Sequence, residues 1–197
     1  MRLKTFFVET TFFKAKIIAR ILTILLILFL VGGCANVSYK EATSTWKSYE
    51  EVGKWLDNNF IFDNDRSQRI LYRLKTQGPT GLLVKNPEKL FKYKRGYCAD
   101  ATHFSIETLN KIDPAYNARW VLILNDYGHP HHWVAAFDYE GKLYIMDYGA
   151  GEKWAAMKGI HGPYDSLNEY GDFLDSLSIS GFKVLSVSYH DMPGSED

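Results

Sequence analysis

Residues 131–148 read HHWVAAFDYEGKLYIMDY and predict a β-hairpin. Aromatic and β-branched side chains fill both halves of this stretch, and a turn-forming run at 138–141 separates them. Two further runs of the same kind, ARWVLILND at 118–126 and FKVLSVSYH at 182–190, extend the prediction to an antiparallel sheet. The second half of the chain is therefore predicted to be mostly strand.

Helices are predicted upstream of this sheet. Apolar side chains recur at helical spacing over 46–60, and a second helix is expected over 67–74. Asn86 and Pro87 form a typical helix start, and residues 98–112 predict a further helix before the first strand. Helices followed by an antiparallel sheet indicate the α+β class.

The composition is that of one folded domain behind a leader segment. The chain has 197 residues, of which 46% are hydrophobic, and this excludes a disordered protein. Its 23 basic and 23 acidic side chains balance, so the charge gives no indication of a nucleic-acid partner. We expect neither a cofactor nor a metal ion.

The leader segment predicts export. A basic stretch precedes the apolar run Ile21–Val31, whose eleven residues at about 1.5 Å each fall short of the roughly 30 Å hydrocarbon core. Small residues then lead to Cys34, and this end resembles the bacterial lipobox. The resemblance implies that Cys34 is diacylated and becomes the mature N-terminus. An uncleaved anchor helix starting near Ile17 is the alternative.

These features divide the chain into three parts. Residues 1–33 are predicted to be a lipoprotein signal peptide, residues 34–45 a polar tether and residues 46–197 the folded domain. The implied location is the bacterial cell envelope, with a lipid anchor in the membrane. In a cell with two membranes we expect the outer membrane, facing the periplasm, because Ala35 is not the aspartate that retains lipoproteins at the inner one.

Cys98 is the candidate nucleophile. Two cysteines cannot form a disulfide framework, and acylation of Cys34 would leave Cys98 as a lone thiol. Gly96 allows a tight turn just before it, and a helix is predicted to begin at the cysteine itself. The partial positive charge of a helix N-terminus favours a thiolate. A buried, inert cysteine is the competing interpretation.

A thiolate enzyme also needs an imidazole and a group that orients it. A three-residue turn with a bulge at Gly141 would put His131 and Asp147 on one face of the hairpin. A two-residue turn would bring His132 to that face instead. The residues favour the bulged turn, so His131 is the predicted base and His132 the alternative. A zinc site built from these side chains is disfavoured, because neighbouring strand residues point to opposite faces.

Three motifs in this order resemble the transglutaminase-like superfamily, which has a papain-like fold. They are GYC at 96–98, HHWV at 131–134 and MDY at 146–148. The resemblance implies a papain-like core, with N-terminal helices packed on an antiparallel sheet. It also implies a Cys98–His131–Asp147 triad, because His131 occupies the first position of the family's His-x-Trp-Val pattern.

The resemblance further implies acyl transfer on protein or peptide amides. Water is the expected acceptor in an exposed cleft, which favours hydrolysis, and transfer to an amine is the alternative. Tyr97, Trp133 and Tyr148 are expected to line the substrate cleft. One alternative is a cell-wall peptide hydrolase similar to the NlpC/P60 enzymes, although that family usually places Ser-Gly after its cysteine. The other alternative is a binding lipoprotein that keeps the fold without turnover.

Overall fold

The computed structural model describes residues 37–196. The predicted signal peptide and Cys34 lie outside these described residues. Between 37 and 196 the chain contains no helix that is both long and apolar enough to cross a membrane.

Five helices come first and pack on one another. Residues 98–112 form a helix with the predicted bounds, and Asn86 caps the helix before it by accepting the Lys89 N–H at 2.8 Å. The second predicted helix, 67–74, is longer than expected at both ends. The helices are α1 (Tyr39–Thr45), α2 (Tyr49–Asn59), α3 (Asn64–Gln77), α4 (Pro87–Tyr93) and α5 (Cys98–Ile112).

Helix α1 corrects the prediction of a polar tether over 34–45 for residues 39–45, while residues 34–36 lie outside the described part of the chain. Ser38 caps α1 and its backbone N–H donates to Glu41 Oε2 at 2.9 Å, so the helix start is satisfied locally. The Tyr39 hydroxyl lies 3.0 Å from Thr108 Oγ1 on α5, which docks α1 against the domain. The polar composition was misleading because capping and one aromatic anchor hold this short helix in place.

The second half of the chain forms a five-stranded antiparallel sheet in the order β7-β6-β5-β4-β8. This arrangement confirms the α+β class. Helix α6 (Leu167–Ser176) connects the two edge strands. The strands are β4 (Arg119–Asn125), β5 (His132–Tyr139), β6 (Lys142–Asp147), β7 (Gly159–Tyr164) and β8 (Val184–His190). Two short parallel pairs lie outside this sheet: β1 (Ile61–Phe62) with β3 (Arg95–Gly96), and β2 (Leu83–Lys85) with β9 (Gly194–Glu196).

The sheet separates two hydrophobic cores. Ala135 and Phe137 of β5 face the first core, which they share with α5. Val134 and Ala136 face the second core, which contains Tyr170 of α6. The four strand residues are all fully buried, so β5 is the central strand with protein on both faces.

The hairpin between β5 and β6 has a different turn from the predicted one. Tyr139 pairs with Lys142, leaving Glu140 and Gly141 as the two turn residues. Their φ angles are 50° and 71°, as in the type I′ turn that suits two-residue hairpins. The prediction of a three-residue bulged turn is wrong, and the shorter turn shifts which histidine shares a face with the end of β6.

Candidate active site

Cys98 is the first residue of α5, and it lines an open cleft. Its exposed fraction is 7%, so the thiol lies in a mostly dehydrated position at the bottom of this cleft. The N-terminus of the 15-residue helix supplies a partial positive charge next to the sulfur. This charge favours a negative charge at this position.

Asp100 organises the backbone around Cys98. This fully buried carboxylate accepts hydrogen bonds from Arg66 Nε at 2.6 Å and Arg66 Nη2 at 3.0 Å. It also accepts the backbone N–H of Tyr97 at 3.0 Å and that of Lys85 at 2.7 Å. The Asp100 carboxylate therefore binds four donors from three segments and holds the turn that precedes the cysteine. We assign Asp100 a structural role.

Two glycines allow the backbone to approach this turn closely. A Cβ atom at Gly96 would lie 2.8 Å from Asp100 Oδ2, and one at Gly149 would lie 2.5 Å from Cys98 Cα. Neither contact is possible without displacing the neighbour. Gly149 is a position that the sequence analysis missed, since nothing local indicates that the segment after β6 lies against the cysteine.

His132 and Asp147 form a buried pair across the hairpin. His132 Nε2–H donates to Asp147 Oδ2 at 2.7 Å, and both residues are 1% exposed. This bond leaves Nδ1 as the ring nitrogen that does not contact Asp147, and the Cys98 side chain is close enough to the ring to favour its charged form. The three side chains therefore form a continuous polar line.

Electrostatics favour the charged form of His132. Burial alone lowers the pKa of this imidazole, but the charge of Asp147, the hydrogen bond to it and the contact with Cys98 outweigh burial and raise the pKa to about 10. The ring is thus an imidazolium at neutral pH. An imidazolium beside a thiol favours the thiolate, which is the nucleophilic form.

His131 does not reach Asp147, and its predicted place in the pair is wrong. Its Nδ1 accepts the backbone N–H of Asn125 at 3.2 Å, and its ring centroid lies 4.2 Å from that of His129. Burial and the neighbouring His129 lower the pKa of His131. The two-residue turn is the physical reason, because it places His132 rather than His131 on the face of Asp147.

The cleft has a volume of about 1310 Å³. Tyr97 and Trp133 lie in its wall, whereas Tyr148 does not. Tyr148 follows Asp147 on the strand and so points to the opposite side, where its hydroxyl packs against Gly53 of α2. The prediction of Tyr148 as a wall residue is therefore wrong.

The remaining walls come from segments with no motif of their own. One wall is a face of α3, and the opposite wall includes His190 at the end of β8. Trp154 forms part of the rim, with its ring edge-on to His132 at a centroid distance of 5.9 Å. The α3 residues in the wall are Asn64, Ser67, Gln68, Ile70, Leu71 and Leu74.

Within residues 37–196, no group of three or more His, Cys, Asp or Glu side chains is arranged to hold a metal ion. The histidines that line the cleft lie at separate positions along the cleft wall, and His132 is hydrogen-bonded to Asp147.

The sequence matches a family model described as a transglutaminase-like domain over residues 33–152. Among solved structures, it is similar to LapG of Legionella pneumophila at 15% identity and a TM-score of 0.41, covering 73% of this chain and 64% of that one. The EGTA-treated form of LapG gives 15% identity and a TM-score of 0.40, with 71% and 61% covered. The chain thus spans less than two thirds of these proteins. No curated protein matches it.

Proposed function

Because the chain belongs to the transglutaminase-like domain family, we propose that it is a lipid-anchored cysteine peptidase that hydrolyses amide bonds of proteins or peptides. Family membership supports a cysteine-dependent enzyme in general. The observation that carries the finer proposal is the line from Cys98 through His132 to Asp147 at the bottom of an open cleft.

Cys98 is the nucleophile in this proposal. The helix N-terminus and a protonated His132 lie beside its sulfur, and both features favour a thiolate over a thiol. Asp147 holds the imidazole in the tautomer and orientation that present Nδ1 to the sulfur.

Acylation proceeds by attack of the Cys98 sulfur on the substrate carbonyl carbon. A carbon–sulfur bond forms and the carbonyl oxygen becomes an oxyanion. The backbone N–H of Cys98, at the first position of α5, is the donor best placed to stabilise that charge. The His132 imidazolium then gives its proton to the amide nitrogen, and the carbon–nitrogen bond breaks. The amine leaves, and the acyl group remains on Cys98 as a thioester.

Deacylation reverses the roles. Neutral His132 takes a proton from water as the water oxygen attacks the thioester carbonyl. The carbon–sulfur bond breaks, the acid is released, and the thiolate–imidazolium pair is restored. Water is the acceptor in the proposal because the cleft is open, which gives solvent free access to the thioester.

The size of the cleft supports a peptide substrate. Its volume of about 1310 Å³ exceeds the roughly 300–1,000 Å³ that are typical of small-molecule pockets. Aromatic and aliphatic side chains from both walls border the nucleophile, among them Tyr97, Leu71 and Trp133. Such a groove suits an extended chain segment with apolar side chains on either side of the cleaved bond.

The test of the proposal is alkylation of Cys98 by iodoacetamide as a function of pH. The full-length chain in detergent is compared with His132→Ala and His131→Ala, and the Cys98 peptide is followed by mass spectrometry. We expect rapid alkylation near pH 6 in the wild type and in His131→Ala, but not in His132→Ala. Alkylation that begins only as the pH approaches about 8.5, the ordinary pKa of a cysteine, and that neither histidine substitution changes, would favour a binding lipoprotein.

The membrane anchor in this proposal rests on Cys34. Two acyl chains give stable anchoring, whereas one chain gives only marginal binding. We expect cells fed an alkyne-labelled fatty acid to label the wild type and Cys98→Ser, but not Cys34→Ser. Labelling of all three proteins, or of none, would contradict the anchor.

A further inference from the structure

The second oxygen of Asp147 lacks a conventional hydrogen-bond partner. Oδ2 receives the N–H of His132, but Oδ1 is buried and unpaired within residues 37–196. The Tyr170 hydroxyl is in the same situation, on a side chain that is fully buried. An unsatisfied buried polar group is costly, and here one orphan is an acceptor and the other a donor.

The fold brings these two groups to the same side of the sheet. Along β6, side-chain alternation places Leu143, Ile145 and Asp147 on one face. Leu143 and Ile145 pack in the second core, and Tyr170 is a member of that core. Tyr170 therefore extends from α6 towards the face of the sheet on which Asp147 lies.

The titration behaviour of Tyr170 agrees with this placement. Burial and the charge of Asp147 both raise the pKa of the phenol well above its ordinary value. The phenol is therefore neutral throughout the physiological range, and it keeps its proton available for donation.

We propose that Tyr170 is a positioning residue of the site, whose hydroxyl donates to Asp147 Oδ1 and fixes the plane of the carboxylate. The inference rests on the proposed Cys98–His132–Asp147 line and extends it by a fourth member. Tyr170 lies beyond the residues 33–152 that match the family model, so the match itself does not supply this role.

A neutral donor suits this position better than a cation. An arginine or lysine on Oδ1 would offset the negative charge that keeps His132 protonated. A phenol satisfies the oxygen without cancelling its charge, and its ring fills the second core at the same time. Tyr170 thereby couples the packing of α6 to the orientation of the imidazole.

The test is Tyr170→Phe, which keeps the ring and removes only the hydroxyl, in the full-length chain. Tyr164→Phe is the matched control, because the Tyr164 ring lies 5.8 Å from that of Tyr170 in the same core. We expect alkylation of Cys98 at neutral pH to slow about fivefold in Tyr170→Phe. We also expect the Nε2–H proton resonance of His132 to shift upfield and exchange faster with water. Tyr164→Phe should change neither.

A second measurement tests the contact from the other side. With tyrosine labelled at Cζ, the ¹³C signal of Tyr170 should shift in Asp147→Asn, while that of Tyr164 stays. An unshifted Tyr170 signal, or a Tyr170→Phe protein with the wild-type His132 resonance and alkylation profile, would overturn the inference. If His132→Ala also alkylates like the wild type, the proposed function fails. If only Tyr170→Phe does so, the positioning role alone fails.

Discussion

Replacing Asp147 by asparagine should lower the pKa of His132 and, as a result, slow the reaction of the Cys98 thiol at neutral pH. The change keeps the size of the side chain and an acceptor oxygen, but it removes the negative charge that lies 2.7 Å from the ring nitrogen. Asp138→Asn is the matched control, because Asp138 lies on the same hairpin and pairs with Arg119 at 2.9 Å, near the surface. Both variants change the net charge equally.

The magnitude follows from the pKa of His132. Its value of about 10, against the ordinary 6.5, corresponds to a preference for the imidazolium on the order of 5 kcal/mol. Without the carboxylate, burial lowers the pKa and only the contact with Cys98 raises it, so we expect the pKa to return to about its ordinary 6.5 or lower. At pH 7.5 at most about a tenth of the molecules then carry an imidazolium. In the proposed mechanism we then expect the thiolate–imidazolium pair to become about tenfold scarcer, and the pH above which His132 loses its proton to move down from about 10.

Two assays report this change. ¹⁵N chemical shifts of the His132 ring, assigned by their absence from His132→Ala, give its protonation between pH 5 and pH 10. The rate of Cys98 alkylation by iodoacetamide at pH 7.5 gives the population of reactive thiolate. We expect both to change in Asp147→Asn, while Asp138→Asn retains wild-type behaviour.

The reasoning is refuted by a folded Asp147→Asn protein in which His132 remains protonated at pH 7.5 and Cys98 reacts at the wild-type rate. Circular dichroism and urea unfolding establish that the variant is folded. Equal losses in Asp138→Asn would also count against the argument, because they would reflect net charge rather than the pair.

Three further predictions concern the surroundings of the site. Asp100→Ala leaves Arg66 buried without its partner, so the free energy of unfolding in urea should fall by about 3–5 kcal/mol, and an unchanged value would contradict the structural role of the pair. Gly149→Ala places a methyl group 2.5 Å from Cys98 Cα, so the free energy of unfolding should fall by about 1–3 kcal/mol and alkylation of Cys98 should slow. Alkylation at the wild-type rate would contradict the close approach of the Gly149 backbone to Cys98. Glu140→Asn should raise the free energy of unfolding by about 1 kcal/mol, since Asn tolerates the positive φ of 50° at this turn position. A destabilised variant would refute the assignment of a two-residue turn.

Local signals in the sequence were sufficient for most of the fold. The Asn86–Pro87 helix start and the bounds 98–112 were predicted because caps and side-chain periodicity act over a few residues. The strands were predicted because alternation and β-branched content are also local. The class of fold followed from these signals, whereas the three motifs were identified by their resemblance to a known family.

The histidine was not predictable with the same rules, because it depended on a single turn residue. Glu140 adopts a left-handed conformation that its side chain does not favour, and for this reason a bulged turn fits residues 138–141 better by local rules. The register in which β6 pairs with its neighbours contains the shorter turn, and this one-residue difference exchanges His131 for His132. Sequence patterns had left both histidines open.

Other parts of the site depend on contacts between distant segments. Arg66 and Asp100 are 34 positions apart, and neither has a local pattern that indicates the other. Tyr170 resembles any buried aromatic residue of an amphipathic helix, and only the tertiary structure places it in the core on the Asp147 side of the sheet. Composition also misled for α1, which is polar in sequence but is held by its tertiary contact.

The sheet separates the two hydrophobic cores, and the reacting groups are divided between them. Cys98 packs with the first core. His132 lies on the same strand face as Val134, and Asp147 lies on the same strand face as Ile145, and Val134 and Ile145 both belong to the second core. In the proposed mechanism, a chain in which only one core has folded therefore has the cysteine without its base. We expect the thiol of such a partly folded chain to have ordinary reactivity, so that the proposed activity arises only when folding is complete.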